Sequence, residues 1–144
     1  MNRSRLSTIG LGLLLAVLVA PALQADDLTG SKHFLCSAVE VTVCTLLGEC
    51  TSQPPWNLNV PQFIEVDLEK NRLSTTEASG ENRSTPIKNL ERDGDLLFLQ
   101  GVENGRAFSF VIAQQDGLAS IAVARDGLSV SVFGSCTPMP KKAN

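Results

Sequence analysis

Residues 100–136, QGVENGRAFSFVIAQQDGLASIAVARDGLSVSVFGSC, fold back on themselves at short, regular intervals. Asn104-Gly105, Asp116-Gly117 and Asp126-Gly127 lie within the stretch, and Asp93-Gly94 precedes it. Such dipeptides tolerate positive φ at both central positions, as two-residue type I′ hairpins require. Taking the last three as two-residue loops sets the register. Leu97 and Leu99 then face Ile112 and Phe110, these face Ile121 and Val123, and those face Val132 and Val130. One sheet face is apolar across four strands. The other is mostly small and polar, with Gln100 beside Ser109, Ala122 beside Ser131 and Ala124 beside Ser129. A one-residue slip would exchange the two faces, so agreement across three turns supports the reading. Gly101 falls opposite Phe108, whose ring can cover the missing side chain. Glu103 falls opposite Arg106 at the turn, an exposed pair of favourable sign.

Working outward, FIEVDLEKNRLSTTE alternates Ile64, Val66 and Leu68 inward with Glu65 and Asp67 outward, then turns near Lys70-Asn71 into a strand around Leu73 and Thr75. A short strand follows near Ile87 to Leu90. HFLCSAVEVTVCT supplies the first strand, and GECTSQPPWNLNVPQ, with three prolines, is loop. About eight strands are expected, nearly all joined to sequence neighbours, and no useful helical periodicity interrupts them. The expected fold is all-β, a small antiparallel up-and-down barrel or meander; a two-sheet β-sandwich is the alternative.

The first residues read as an address label. Arg3 and Arg5 precede an apolar run from Ile9 to Val19, and small residues follow at Ala20-Pro21-Ala22 and Leu23-Gln24-Ala25. That pattern is a secretory signal peptide over 1–25, leaving one secreted β-domain over 26–144. The run is shorter than the ~20 residues that span a bilayer, so no stable membrane anchor is expected. Loss of Arg3 and Arg5 leaves 10 basic against 15 acidic residues, a net charge of −5. An acidic domain has no electrostatic reason to hold nucleic acid.

Cys36, Cys44, Cys50 and Cys136 all lie in the exported part, where an oxidising periplasm or extracellular medium favours disulfides. Four cysteines allow three pairings. Barrel closure sets the first strand antiparallel to the last, which brings Cys36 towards Cys136 and leaves Cys44 to bridge Cys50 across a local loop.

Signals for chemistry are sparse. There is no phosphate loop, His-Glu-x-x-His or nucleophile elbow. His33, the single histidine, reads as a surface residue. Glu65 and Asp67 share one strand face, close enough to act as paired carboxylates in a hydrolase, or simply to be solvated. No catalytic residue, cofactor or metal is expected.

Three surfaces are candidates for binding. The segment Ser74 to Ile87 concentrates hydroxyls with Glu77, Glu81 and Arg83. Trp56, between Pro55 and Asn57, is expected to plug one end of the barrel, or else to anchor a partner. Leu96, Phe98, Val111, Ala113 and Phe133 make an apolar cluster on the small, polar face, either a contact patch or a surface covered by the proline-rich loop.

Phe34-Leu35-Cys36, Gly101-x3-Gly105-Arg106-x-Phe108-Ser109 and Phe133-Gly134-Ser135-Cys136-Thr137 together resemble a group of small exported bacterial proteins with no established activity. The resemblance implies export and a single domain, and carries over no catalytic residue. The bulky inward set, from Leu97 to Val132, predicts a packed interior. Function is then expected to be non-catalytic binding on loops or outer faces, as an inhibitor-like module for an envelope or extracellular protein. A carrier of a small apolar molecule is the alternative, and requires a cavity of roughly 300 Å³ or more.

Overall fold

The computed structural model describes residues 26–58, 60–79 and 82–140. The expected signal peptide and Glu81 lie outside these residues. Ten antiparallel strands form one curled sheet, a half-barrel, in place of two stacked sheets. They are β1 (His33–Thr45), β2 (Cys50–Gln53), β3 (Phe63–Asp67), β4 (Arg72–Thr75), β5 (Ser84–Pro86), β6 (Asn89–Asp93), β7 (Leu96–Glu103), β8 (Arg106–Ala113), β9 (Leu118–Arg125) and β10 (Leu128–Pro138). The order across the sheet is β5-β4-β3-β1-β10-β9-β8-β7-β6, with β2 beside the second half of β1.

The two terminal strands of this order are consecutive in the chain. Only Ile87 and Lys88 separate β5 from β6, and their amides donate to Asn71 O and Gln100 O, each at 2.8 Å. One continuous segment thus pairs first with β4 and then with β7. The ten strands exceed the eight or so expected, because β2 (Cys50–Gln53) forms inside the segment read as loop, where it pairs back onto β1, and because β5 adds a short strand ahead of β6.

The turns explain the registers. Asn104 and Gly105 both have positive φ, 47° and 74°, and Glu103 pairs with Arg106 as a type I′ hairpin demands. Asp126-Gly127 is also a two-residue loop, with Leu128 opposite Arg125, though only Gly127 has positive φ. The β6–β7 loop is Gly94-Asp95, one residue later than the Asp93-Gly94 signal, because Asp93 is already paired with Leu96.

The β8–β9 connection departs from the expected two residues. Phe110 faces Ile121 and Ile112 faces Ala119, so Gln114 to Gly117 form a four-residue loop. Tertiary bonds hold it open. Gln114 N donates to Asp95 O at 2.8 Å, Leu28 N donates to Gln114 O at 2.6 Å, and Cys136 N donates to Gly117 O at 2.7 Å. Gly117 has φ +65°, and a Cβ there would run into the carbonyl oxygen of Cys136. The resulting shift against expectation is two residues, an even number, so every side chain keeps its face.

β1 and β10 are hydrogen-bonded neighbours, as closure requires, and Cys36 sits directly opposite Cys136. Disulfides join Cys36 to Cys136 and Cys44 to Cys50. Val39 is an extra residue between the Ala38–Gly134 and Glu40–Phe133 pairs, a β-bulge. It switches the inward positions of β1 from Phe34, Cys36 and Ala38 to Val41 and Val43.

Leu28, Phe34, Val66, Leu97, Leu99 and Ile112 fill one end of the interior, each no more than 2% exposed. At ~1.5–3 kcal/mol per buried large side chain, this end supplies much of the fold's stability. Its plug is Leu28, from the segment ahead of β1, and not Trp56, which is 64% exposed. Pro55 takes the burial beside it while the indole points outward.

Candidate functional site

The other end of the interior is hollow. A cavity of about 530 Å³ lies between the inward faces of β1, β3, β4, β8, β9 and β10 and the proline-rich loop. The expectation of a packed interior fails at this end. Phe108 and Phe110 meet edge to face, their centroids 5.9 Å apart, and form one wall. Ile121, Val123, Val130 and Val132 continue it, while Leu58 and Val60 close the opposite side. Short side chains leave the space. Ala38 and Ala119 occupy inward positions where larger residues would fill it. At Gly101 a Cβ would overlap the Phe108 ring and lie 2.9 Å from Pro86 O, so the ring is seated by the glycine.

Polar groups collect at the mouth. The tight turns of β7–β8 and β9–β10 lie at the same end, so Glu103, Arg106, Arg125 and Leu128 line the cavity from adjacent strands. Arg106 is directly opposite Arg125, and Glu103 is directly opposite Arg106. The sequence reading missed the arginine pair because a two-residue β8–β9 loop would set Arg106 against Gly127. Gln114 held the missing signal: it continues the inward series Phe108, Phe110, Ile112, and a glutamine there marks the strand as already ended.

The expected site residues fall in different places. Arg83 is half-buried and lines the cavity. Glu77 is exposed on a single 3-10 turn, Glu77–Ser79, away from it. Leu96, Phe98, Val111, Ala113 and Phe133 lie on the outer face. The registers set Phe98 beside Val111, Val111 beside Ser120 and Ser120 beside Phe133, a row across four strands. Phe133 is 55% exposed. The proline-rich loop does not cover this row, since its Leu58 and Val60 pack on the interior side.

Glu65 and Asp67 stand apart from the cavity, each with its own partner. Glu65 Oε1 lies 2.6 Å from His33 Nε2, and both side chains are largely shielded. His33 is therefore a paired residue and not a free surface one. Asp67 Oδ1 accepts from the amides of Glu69 and Lys70 at 3.1 and 2.9 Å, and Oδ2 lies 3.0 Å from Lys70 Nζ. Burial, the largest influence on this carboxyl, pushes its pKa up. The Lys70 hydrogen bonds, with the charges of Lys70 and His33, together outweigh it and hold Asp67 below its ordinary value of 3.8. This arrangement ties down the β3–β4 turn.

A scan against protein-family models finds no matching family, and a search of curated proteins finds no match. No helix among the described residues is long and apolar enough to cross a membrane.

Proposed function

We propose that this is an exported, non-catalytic carrier that holds a small apolar molecule inside its half-barrel. The supporting observation is the hollow of about 530 Å³ beside a fully packed end. It falls within the ~300–1,000 Å³ range of small-molecule sites, and its wall is apolar with a few convergent polar groups. Export rests on the signal peptide read over 1–25 and on two disulfides that suit an oxidising periplasm or extracellular medium. Membership of the group of small exported bacterial proteins is part of the same reading.

Native mass spectrometry of protein purified from its source should retain a small apolar mass. The neutral dye N-phenyl-1-naphthylamine should brighten on binding, and Val123→Trp, which fills the cavity wall, should abolish the response while the folded spectrum persists. A bare polypeptide mass together with unchanged dye binding by Val123→Trp would sink the reading.

A second reading has one observation in its favour. The outer-face row of half-buried Phe98 and Val111 with exposed Phe133 suits an interaction module for an envelope or extracellular protein. A co-purifying protein released by Phe133→Ser would support it over the carrier.

A further inference from the structure

We propose that the carried molecule is an amphiphile with an anionic head, its tail in the cavity and its carboxylate or phosphate on Arg106 and Arg125 at the mouth. The inference rests on the carrier reading and adds the ligand's polarity.

Arg106 follows the inward parity of Phe108 and Phe110, and Arg125 that of Ile121 and Val123. Both guanidinium groups therefore sit at the rim of the apolar wall and not on the outer face. The β8–β9 register sets them directly opposite one another. Like charges at such a cross-strand position destabilise a sheet, and Arg106 is half-buried, where water screens less. None of the ion pairs among the described residues involves either arginine, and Glu103 beside Arg106 offsets only one of the two charges. This positive mouth belongs to a domain whose exported part is acidic overall, so it is a local concentration of charge. An unfavourable arrangement of this kind becomes favourable when an anion lies between the two groups. The planar guanidinium fork matches a carboxylate or phosphate in two parallel hydrogen bonds. Directly below the fork the wall is Phe108, Val123 and Val130, where an alkyl chain is the chemistry accepted.

The test is a competition against the bound neutral dye with four single-chain probes below their micellar concentrations: decanoate, decyl phosphate, decanol and decylamine. Decanoate, decyl phosphate or both should bind roughly tenfold or more tightly than decanol, and decylamine most weakly. The stronger anion identifies the head as carboxylate or phosphate. The preference should shrink as salt is raised. Arg106→Gln/Arg125→Gln should lose the preference, binding the two anions no more tightly than decanol. Arg125→Glu, which sets opposite charges face to face, should also lose it while raising the urea midpoint of the ligand-free protein. Equal binding of decanoate, decyl phosphate and decanol by the wild type, or a preference that survives in both variants, overturns the anionic head and leaves the carrier standing. Failure of all four probes and of the dye overturns the carrier reading itself.

Discussion

Gly101 and Phe108 show how one missing side chain shapes the interior. The ring occupies the space a Cβ would need, and Pro86 O closes the other side. Gly101→Ala should cost roughly 1–3 kcal/mol in urea unfolding, the usual range for overpacking, and Phe108→Leu in the same chain should recover part of that loss. This pair was legible in the sequence because it needs only one short hairpin to be aligned. His33 and Glu65 were not, since they are 32 residues apart and meet only through the β1–β3 pairing. Asp67 carries a pH signature of its own. Its pKa is lowered on folding, so its contribution is present above its unfolded value and is lost as pH falls through the folded one. Asp67→Asn should therefore lower stability by about 1 kcal/mol near neutral pH. The gap from wild type should narrow below about pH 4. A constant gap in urea midpoint from pH 7 to pH 3 would contradict this.

Among the elements, the β8–β9 hairpin separates what patterning decides from what it leaves open. The alternation of apolar and small residues assigns faces with a period of two, so an error of two residues in the loop left Phe110 and Ile112 inside, as expected. Neighbours along the strand did change. They are set by Gln114, Gly117, Leu28 and Cys136, tertiary contacts that no local signal announces. Cysteines introduced in place of Ser109 and Ala122 are directly opposed on the outer face and should bridge on mild oxidation. Ser109 with Ala124, the partner implied by a two-residue loop, should not. Bridging of the second pair in preference to the first would move Arg106 away from Arg125. The β-bulge at Val39 was equally hidden, although the change of inward parity from Ala38 to Val41 records it.

The whole molecule is divided along its length, with a packed end that carries stability and a hollow end that the carrier proposal assigns to a ligand. The Cys36–Cys136 bridge, 100 residues apart in sequence, joins the first and last strands between these two regions. On the chain-entropy model its removal should cost ~4.7 kcal/mol, against about 2 kcal/mol for Cys44–Cys50, which spans 6 residues. Cys36→Ala/Cys136→Ala should accordingly show the larger fall in urea midpoint; the reverse order would mean that the two ends are coupled differently from the contacts described. Class and both bridges were legible because each follows from spacing and alternation. The cavity was not, because emptiness depends on how side chains from β1, β3 and the proline-rich loop meet those of β8 to β10, and no strand carries that information alone.

The single segment that forms both β5 and β6 also governs how this protein meets copies of itself. Where it leaves β4 for β7, the far side of β6 is a sheet margin that could accept a foreign strand, and its Glu91, Arg92 and Asp93 are all exposed. A stranger docking its backbone there would have to seat itself against three charges in a row, an arrangement that discourages fibril growth. A fold whose walls are almost entirely β-structure thus keeps this margin guarded by charge.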